Sequence, residues 1–495
     1  MGNAVTASAN WRRAAILFAA LALRFVLGYV FFGSVDLLNM IGITTSIFDG
    51  DGRLITSRPY FPTVSVFDWL AGYMNTATAL PLAFCFKIAP IVFDSLLAVL
   101  VYDLAAARGT PKAFLLGMLY ALCPVAVIVN SFHVQWDSIL IYFLALALFV
   151  RGSFADSPGK YVLFGMVFCL SILIKPVAAV FLPLLLVRAD TAKTFLTYNS
   201  CTAAGLASTF LIYLGVLWLM GFDIAAMFEH ILGYAHTGVI ITGLPFAYPF
   251  SEFDFMKTRL WITGPILYVA YFYYLGKISF TDSVVLVFAL TLGLAGISTQ
   301  YQLWLIPFLL VTGRTSWTAL YGLAASIFMM FYYMNPLAPY FPGENMGTFA
   351  ALKPFAWAMP PAYLTAEWTL PLIKGLGNYA IPCISLAIAV SVIRANWRGL
   401  CEPPAPGGEG GVFWRLYAPA SAAVFLAVLV LYLAADPAAL YGSFSAVLED
   451  KLGDYAMTVG KGRALGDYGG SSAFNIFYLG VLAAAAWSFA AWRAR

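Results

Sequence analysis

Charge is what this sequence has least of. Asp, Glu, Lys and Arg make up 10% of its 495 residues, against 62% hydrophobic ones. Soluble domains run near 25% charged and 45–50% apolar, so a water-soluble fold of this composition would leave large apolar patches exposed. The formal charge of +4 is small and dispersed, which excludes a nucleic-acid surface. The six cysteines (Cys85, Cys123, Cys169, Cys201, Cys383 and Cys401) contain no C-x-x-C pair, which excludes the usual zinc pattern and a disulfide framework. They read as core residues. The Gly-rich run at 407–411 lacks the Lys-Ser/Thr end of a phosphate loop and follows Pro403, Pro404 and Pro406, so the segment 399–413 reads as a flexible linker. Internal repeats of the transporter kind are also missing.

What the chain does have is apolar runs of membrane-spanning length, about 20 residues each. They fall near 13–33, 82–104, 113–130, 136–152, 161–174, 176–188, 196–220, 259–277, 281–297, 300–313, 316–334, 371–393, 414–435 and 473–492. The expected fold is therefore an all-α polytopic membrane protein with about 12–14 transmembrane helices. Arg24 interrupts the first run, which is long enough to remain as an anchor rather than a cleaved signal. With the N-terminus cytoplasmic because of Arg12 and Arg13, every short cytoplasmic turn carries a basic residue. These are Arg108 and Lys112, Arg151 and Lys160, Arg188 and Lys193, Lys277, Arg314, then Arg394, Arg398 and Arg415. Treating the pair broken at Lys175-Pro176 as one span would spoil that agreement. The long loops 34–81, 221–258, 335–370 and 436–472 fall on the opposite face. Residues 1–315 form a first module and 316–495 a second. The stretch through Asp68, Trp69 and Tyr73 predicts a short amphipathic helix in the first outer loop.

Charges inside spans are expensive and face protein. Arg24 and Asp94 sit at similar depth, counting about 1.5 Å per residue from the cytoplasmic ends, so they are expected to pair as a buried strut. Lys87 shares a helical face with Asp94, nearer the outer surface. It either snorkels to the interface or lines a cavity.

Four features gather at outer helix ends. Asp36, in Gly33-Ser34-Val35-Asp36, stands where the first span leaves the membrane. It is placed to act as a general base, although a helix-ending carboxylate would account for it alone. Asp49-Gly50-Asp51-Gly52 reads as a solvated turn, and two carboxylates without further ligands do not make a metal site. Asn130-Ser131-Phe132-His133-Val134-Gln135-Trp136-Asp137-Ser138 reads as a short outer loop, more polar than a hairpin needs, with His133, Gln135 and Asp137 as substrate-binding candidates. Lys175 beside Pro176 is suited to holding an anion at a helix break. Ser298-Thr299-Gln300-Tyr301-Gln302-Leu303-Trp304-Leu305-Ile306-Pro307 enters the tenth span as an aromatic anchor.

At these residues the chain resembles the GT-C superfamily of polyprenyl-phosphate-sugar-dependent glycosyltransferases, in its mannosyltransferase-like branch. Asp36 matches the acidic residue after the first span. Gly50 or Gly52 with Tyr60-Phe61-Pro62 matches a glycine and Tyr-x-Pro turn. Val134-Gln135-Trp136-Asp137-Ser138 is similar to a Gly/His-Gln-x-Asp-Ser element, with valine in the first place. Leu173-Ile174-Lys175-Pro176 and Gln300-Tyr301-Gln302-Leu303-Trp304-Leu305-Ile306-Pro307 match two more. The resemblance covers roughly residues 10–315.

It implies a GT-C-like helical bundle and an inverting transfer of a sugar, mannose-like by branch, from a polyprenyl-phosphate donor to a lipid-linked or glycan acceptor at the extracytoplasmic face. No metal or other cofactor is expected, since only one carboxylate aligns where some relatives carry Asp-x-Asp. Asp36 would take the acceptor proton. Lys175, then His133, Lys257 or Arg259, would meet the departing phosphate. Gln135, Asp137, Tyr60, Tyr301 and Gln302 would orient the sugar. His230 and His236 read as ordinary loop histidines. A lipid-linked sugar flippase or transporter shares the spans and intramembrane charges, and a lipid-linked glycan polymerase or ligase shares the outer-face site. The implied location is a bacterial inner membrane with both termini cytoplasmic.

Overall fold

In lipid every backbone polar group must be satisfied within the protein, which leaves helix as the default for apolar runs. A computed structural model describes residues 2–33, 37, 61–189, 191–219, 223–228, 231, 262–294, 299–334, 341–342, 376–397 and 482–494. Among these residues the chain is helical apart from one short pairing, Phe31–Gly33 (β1) antiparallel to Phe341–Pro342 (β2). Asp36, Tyr60, Lys257 and Arg259 lie outside the described residues, as do His230, His236, Asp49 and Asp51.

Helix α1 (Gly2–Val30) is followed by α2 (Thr63–Ala77) and the long α3 (Leu82–Ala107). Helix α3 is the hub: α1, α2, α4 (Ala113–Ala121) and, after the short α5 (Pro124–Val127), α6 (Asp137–Ser153) all pack on it. Helix α7 (Pro158–Ile174) packs against α6 and α8 (Ala192–Leu219). The α7–α8 contact is backbone to backbone. A Cβ on Gly165 would collide with the Thr202 carbonyl, and one on Gly205 with the Val162 carbonyl. Helices α9 (Thr263–Tyr274), α10 (Phe280–Leu294), α11 (Ile306–Val311) and α12 (Thr315–Met334) continue the bundle, with α13 (Ile381–Ala395) against α10.

By length and composition α3 and α8 can cross a membrane, and the bent pair formed by α4 and Pro124–His133 makes a third when counted as one span. The expected run 113–130 is thus not one straight helix. It bends by 40° after Ala121, because Pro124 has no N–H to give to the Tyr120 carbonyl. Likewise the run 176–188 is a 3₁₀ helix, Pro176–Leu185, and the run 300–313 is a 3₁₀ turn, Thr299–Leu303, followed by α11.

Basic residues of the short turns meet at one end of the bundle. Arg13 pairs with Asp103 at 2.9 Å, Arg314 with Asp282 at 2.8 Å, and Arg108 donates to Thr281 at 3.0 Å. Arg151, at the end of α6, lies 4.2 Å from the Phe280 ring centroid and donates to the Leu184 carbonyl.

Arg24 and Asp94 form a fully buried pair, Nε to Oδ2 2.6 Å. Tyr120 donates to the other carboxylate oxygen at 2.7 Å. Arg24 also donates to the carbonyls of Ala121 and Tyr120 at the break, the latter shared with the Cys123 N–H. One guanidinium therefore ties α1, α3 and α4 together. Lys87 is buried and donates to the Gly28 carbonyl at 2.8 Å, so it does not snorkel.

Candidate functional site

The segment 130–138, expected as a short outer loop, is packed inside the protein. Its residues are buried, and it runs as a π turn, Ile128–His133, then Val134, Gln135 and Trp136, into the start of α6 at Asp137. The turn closes through Val134, at φ 58° and ψ 72°. That left-handed conformation strains a β-branched residue. Among the described residues no other non-glycine residue has positive φ. Polar side chains are tolerated here because neighbouring elements supply partners.

Asp137 sits in the first turn of α6, where the helix dipole favours a negative charge. Lys175 follows the last residue of α7 in an extended conformation, φ −143° and ψ 125°, as a residue before proline must. That conformation carries its side chain to Asp137, Nζ to Oδ2 2.6 Å. Trp304 donates its indole N–H to the other oxygen, Oδ1, at 2.7 Å. The Tyr301 ring stacks on Trp304 at 4.0 Å and 24°, and its centroid lies 5.6 Å from the Lys175 ammonium. His133 Nε2 is 3.4 Å from Gln300 Oε1. Gln302 accepts from the Tyr321 hydroxyl at 2.8 Å, and its buried amide nitrogen has no hydrogen-bond partner among the described residues. Phe67 of α2 stacks on Trp136 at 5.5 Å and 23°, so the first outer segment covers the turn.

Three stretches far apart in sequence therefore form one polar knot: His133 to Asp137, Lys175, and Gln300 to Trp304. In α6 and α7 the knot residues sit at the helix ends opposite Arg151 and Lys160. His133, Gln135, Asp137, Lys175 and Gln302 are buried, while Tyr301 is half-buried and forms the accessible edge. Lys175 is held by Asp137, so an incoming anion meets a neutralised pair rather than a lone cation. The sequence reading did not single out Trp304, Tyr321, Trp136 or Phe67 as site residues. Trp304 was within reach, since it lies about one turn beyond Gln300 in the same motif. Nothing local marks Tyr321. No group of three or more His, Cys, Asp or Glu side chains gathers among the described residues.

Compared with known protein families, characterised proteins and solved structures, the chain matches none.

Proposed function

We propose that this chain is a polytopic membrane glycosyltransferase with a GT-C-like bundle. It transfers a sugar from a polyprenyl-phosphate donor to a lipid-linked or glycan acceptor on the extracytoplasmic side. The observation that carries this reading is the convergence of the Gln-x-Asp, Lys-Pro and Gln-Tyr-x-x-Trp elements on the Lys175–Asp137–Trp304 knot. Those are the elements on which the GT-C resemblance rests. The position of the knot, at helix ends away from the basic turns, supports an outer-face site under the positive-inside rule.

In the proposed reaction an acceptor hydroxyl attacks the anomeric carbon and gives its proton to Asp36. The bond from that carbon to the phosphate oxygen breaks, and polyprenyl phosphate leaves with the electron pair. Asp36 lies three residues past Gly33, the end of a strand that packs against the Ile128–His133 turn. Tyr301 is the half-buried surface on which a sugar ring stacks, with Gln302 and Gln135 behind it. His133, Lys257 and Arg259 are the groups proposed to receive the phosphate charge, since the Lys175 ammonium is already neutralised by Asp137.

The test is purified protein in lipid with polyprenyl-phosphate-linked sugars and a host lipid extract, wild type against Asp36→Asn. Transfer by the wild type, and its loss in a variant that still binds donor, supports the reading. Transfer unaffected by the substitution moves the base elsewhere. Among the described residues, the bent pair at Ala121–Pro124 is a feature that favours a lipid-linked sugar flippase. In that case labelled lipid crosses the bilayer without sugar transfer.

A further inference from the structure

The end of the chain returns to the break on which the knot depends. Residues 482–493 form a helix, α14. Its Trp487 is 6% exposed and donates its indole N–H to the Leu119 carbonyl at 2.6 Å. In an unbroken helix that carbonyl would accept from the amide of Cys123, but Cys123 instead donates to Tyr120 at 3.0 Å. The three carbonyls loosened by the break thus have side-chain donors from two remote elements: Arg24 of α1 on Tyr120 and Ala121, and Trp487 of α14 on Leu119.

The fit of α14 is specific. The Trp487 ring occupies the space over Gly322 of α12, where any added Cβ would collide with it. One turn and more beyond, Lys112 reaches from the turn before α4 to the Ala494 carbonyl at 3.1 Å. Helix α14 is therefore fastened to both ends of α4: to its last turn through Trp487 and to its entry through Lys112. Beyond the break there is no slack. Pro124–Val127 passes directly into the π turn that ends at His133, and Asp137 opens α6.

We infer that Trp487 is a positioning residue: docked against Gly322, it clamps the α4 break and so fixes the turn from Ile128 to Asp137 that carries His133, Gln135 and Asp137. The clamp does not depend on which reaction the site performs. It makes the order of the site conditional on a helix whose tryptophan lies 368 positions beyond Leu119.

Backbone hydrogen exchange of the full-length protein in detergent tests this without any substrate. Trp487→Ala removes both the ring and the donor, and speeds exchange across 120–136 on the order of a hundredfold. Trp487→Phe keeps a ring over Gly322 but orphans the Leu119 carbonyl, and speeds it about tenfold. Gly322→Ala, which pushes the ring away, reproduces the Trp487→Ala pattern, and the double variant adds nothing further. In all four variants the amides of α7 and α8 keep wild-type rates, which separates local opening from general loosening. Unchanged exchange over 120–136 overturns the inference. So does an equal rise in every helix, because the tryptophan would then be an ordinary packing residue.

Discussion

The ammonium of Lys175 lies 2.6 Å from the carboxylate of Asp137, although the two residues are 38 positions apart and belong to different helix ends. Both are shut away from solvent, and Trp304 fills the remaining carboxylate oxygen. Removing one partner of such a pair leaves a buried charge and costs about 3–5 kcal/mol. Lys175→Met and Asp137→Leu are each expected to lower the unfolding temperature sharply in lipid nanodiscs. The double variant is expected to recover much of the loss, because no charge is then left uncompensated. Losses that simply add would mean that the two groups do not act as a pair.

The Arg24 network makes a related but sharper prediction. Its guanidinium serves Asp94 and the carbonyls of Ala20, Ala121 and Tyr120 at once, a geometry that a single ammonium cannot copy. Arg24→Lys should therefore fail nearly as badly as Arg24→Leu, each destabilising by about 3 kcal/mol or more. Thermal unfolding checks this. A harmless lysine would show that charge alone, and not the three-way bridge, holds α1, α3 and α4.

How much of this was legible in the sequence depends on the range of the interaction. Arg24 and Asp94 met as expected because helix rise fixes depth, and two opposite charges at equal depth in lipid have few alternatives. The break at Lys175-Pro176 was legible because proline acts locally. The same rule was there to be read at Pro124, but the run 113–130 is apolar throughout and its hydropathy hid the bend. Lys175 was read as an open anion site because nothing near it in sequence is acidic; its partner is supplied by packing. The segment Asn130–Ser138 was read as a short outer loop with substrate-binding candidates, and its burial was not legible. It is buried, with Ser131, Ser138, His133 and Asp137 met by Arg24, Pro90, Gln300, Lys175 and Trp304, which no local pattern announces.

Val134 holds a left-handed φ of 58°, a conformation that glycine adopts freely. A Cβ in that conformation costs about 1–2 kcal/mol. Val134→Gly should consequently be within ~1 kcal/mol of Val134→Ala, the relief of strain offsetting glycine's backbone entropy. At buried Val129, in the π turn, glycine should be the worse of the two by about 1 kcal/mol. Equal penalties at both sites would remove the strain from the account.

Helix contact in lipid is set by close backbone approach. Gly165→Ala and Gly205→Ala each place a methyl against a carbonyl that cannot give way, and are expected to cost about 1–3 kcal/mol each. Gly215, on the same α8 helix, has nothing within 4 Å of an added Cβ. Gly215→Ala should be neutral or stabilising by up to about 1 kcal/mol. Unfolding curves of the three variants separate a true α7–α8 contact from a general sensitivity of α8.

The central claim is sugar transfer from a lipid phosphate, and following the products tests it most directly. Wild-type protein in vesicles would receive polyprenyl-phosphate donors labelled separately in the sugar and in the lipid, together with a host lipid extract. The account predicts that labelled sugar appears on an acceptor while an equal amount of free polyprenyl phosphate is released. Donor that stays intact with every sugar tried, while the labelled lipid equilibrates between the two leaflets, would contradict it.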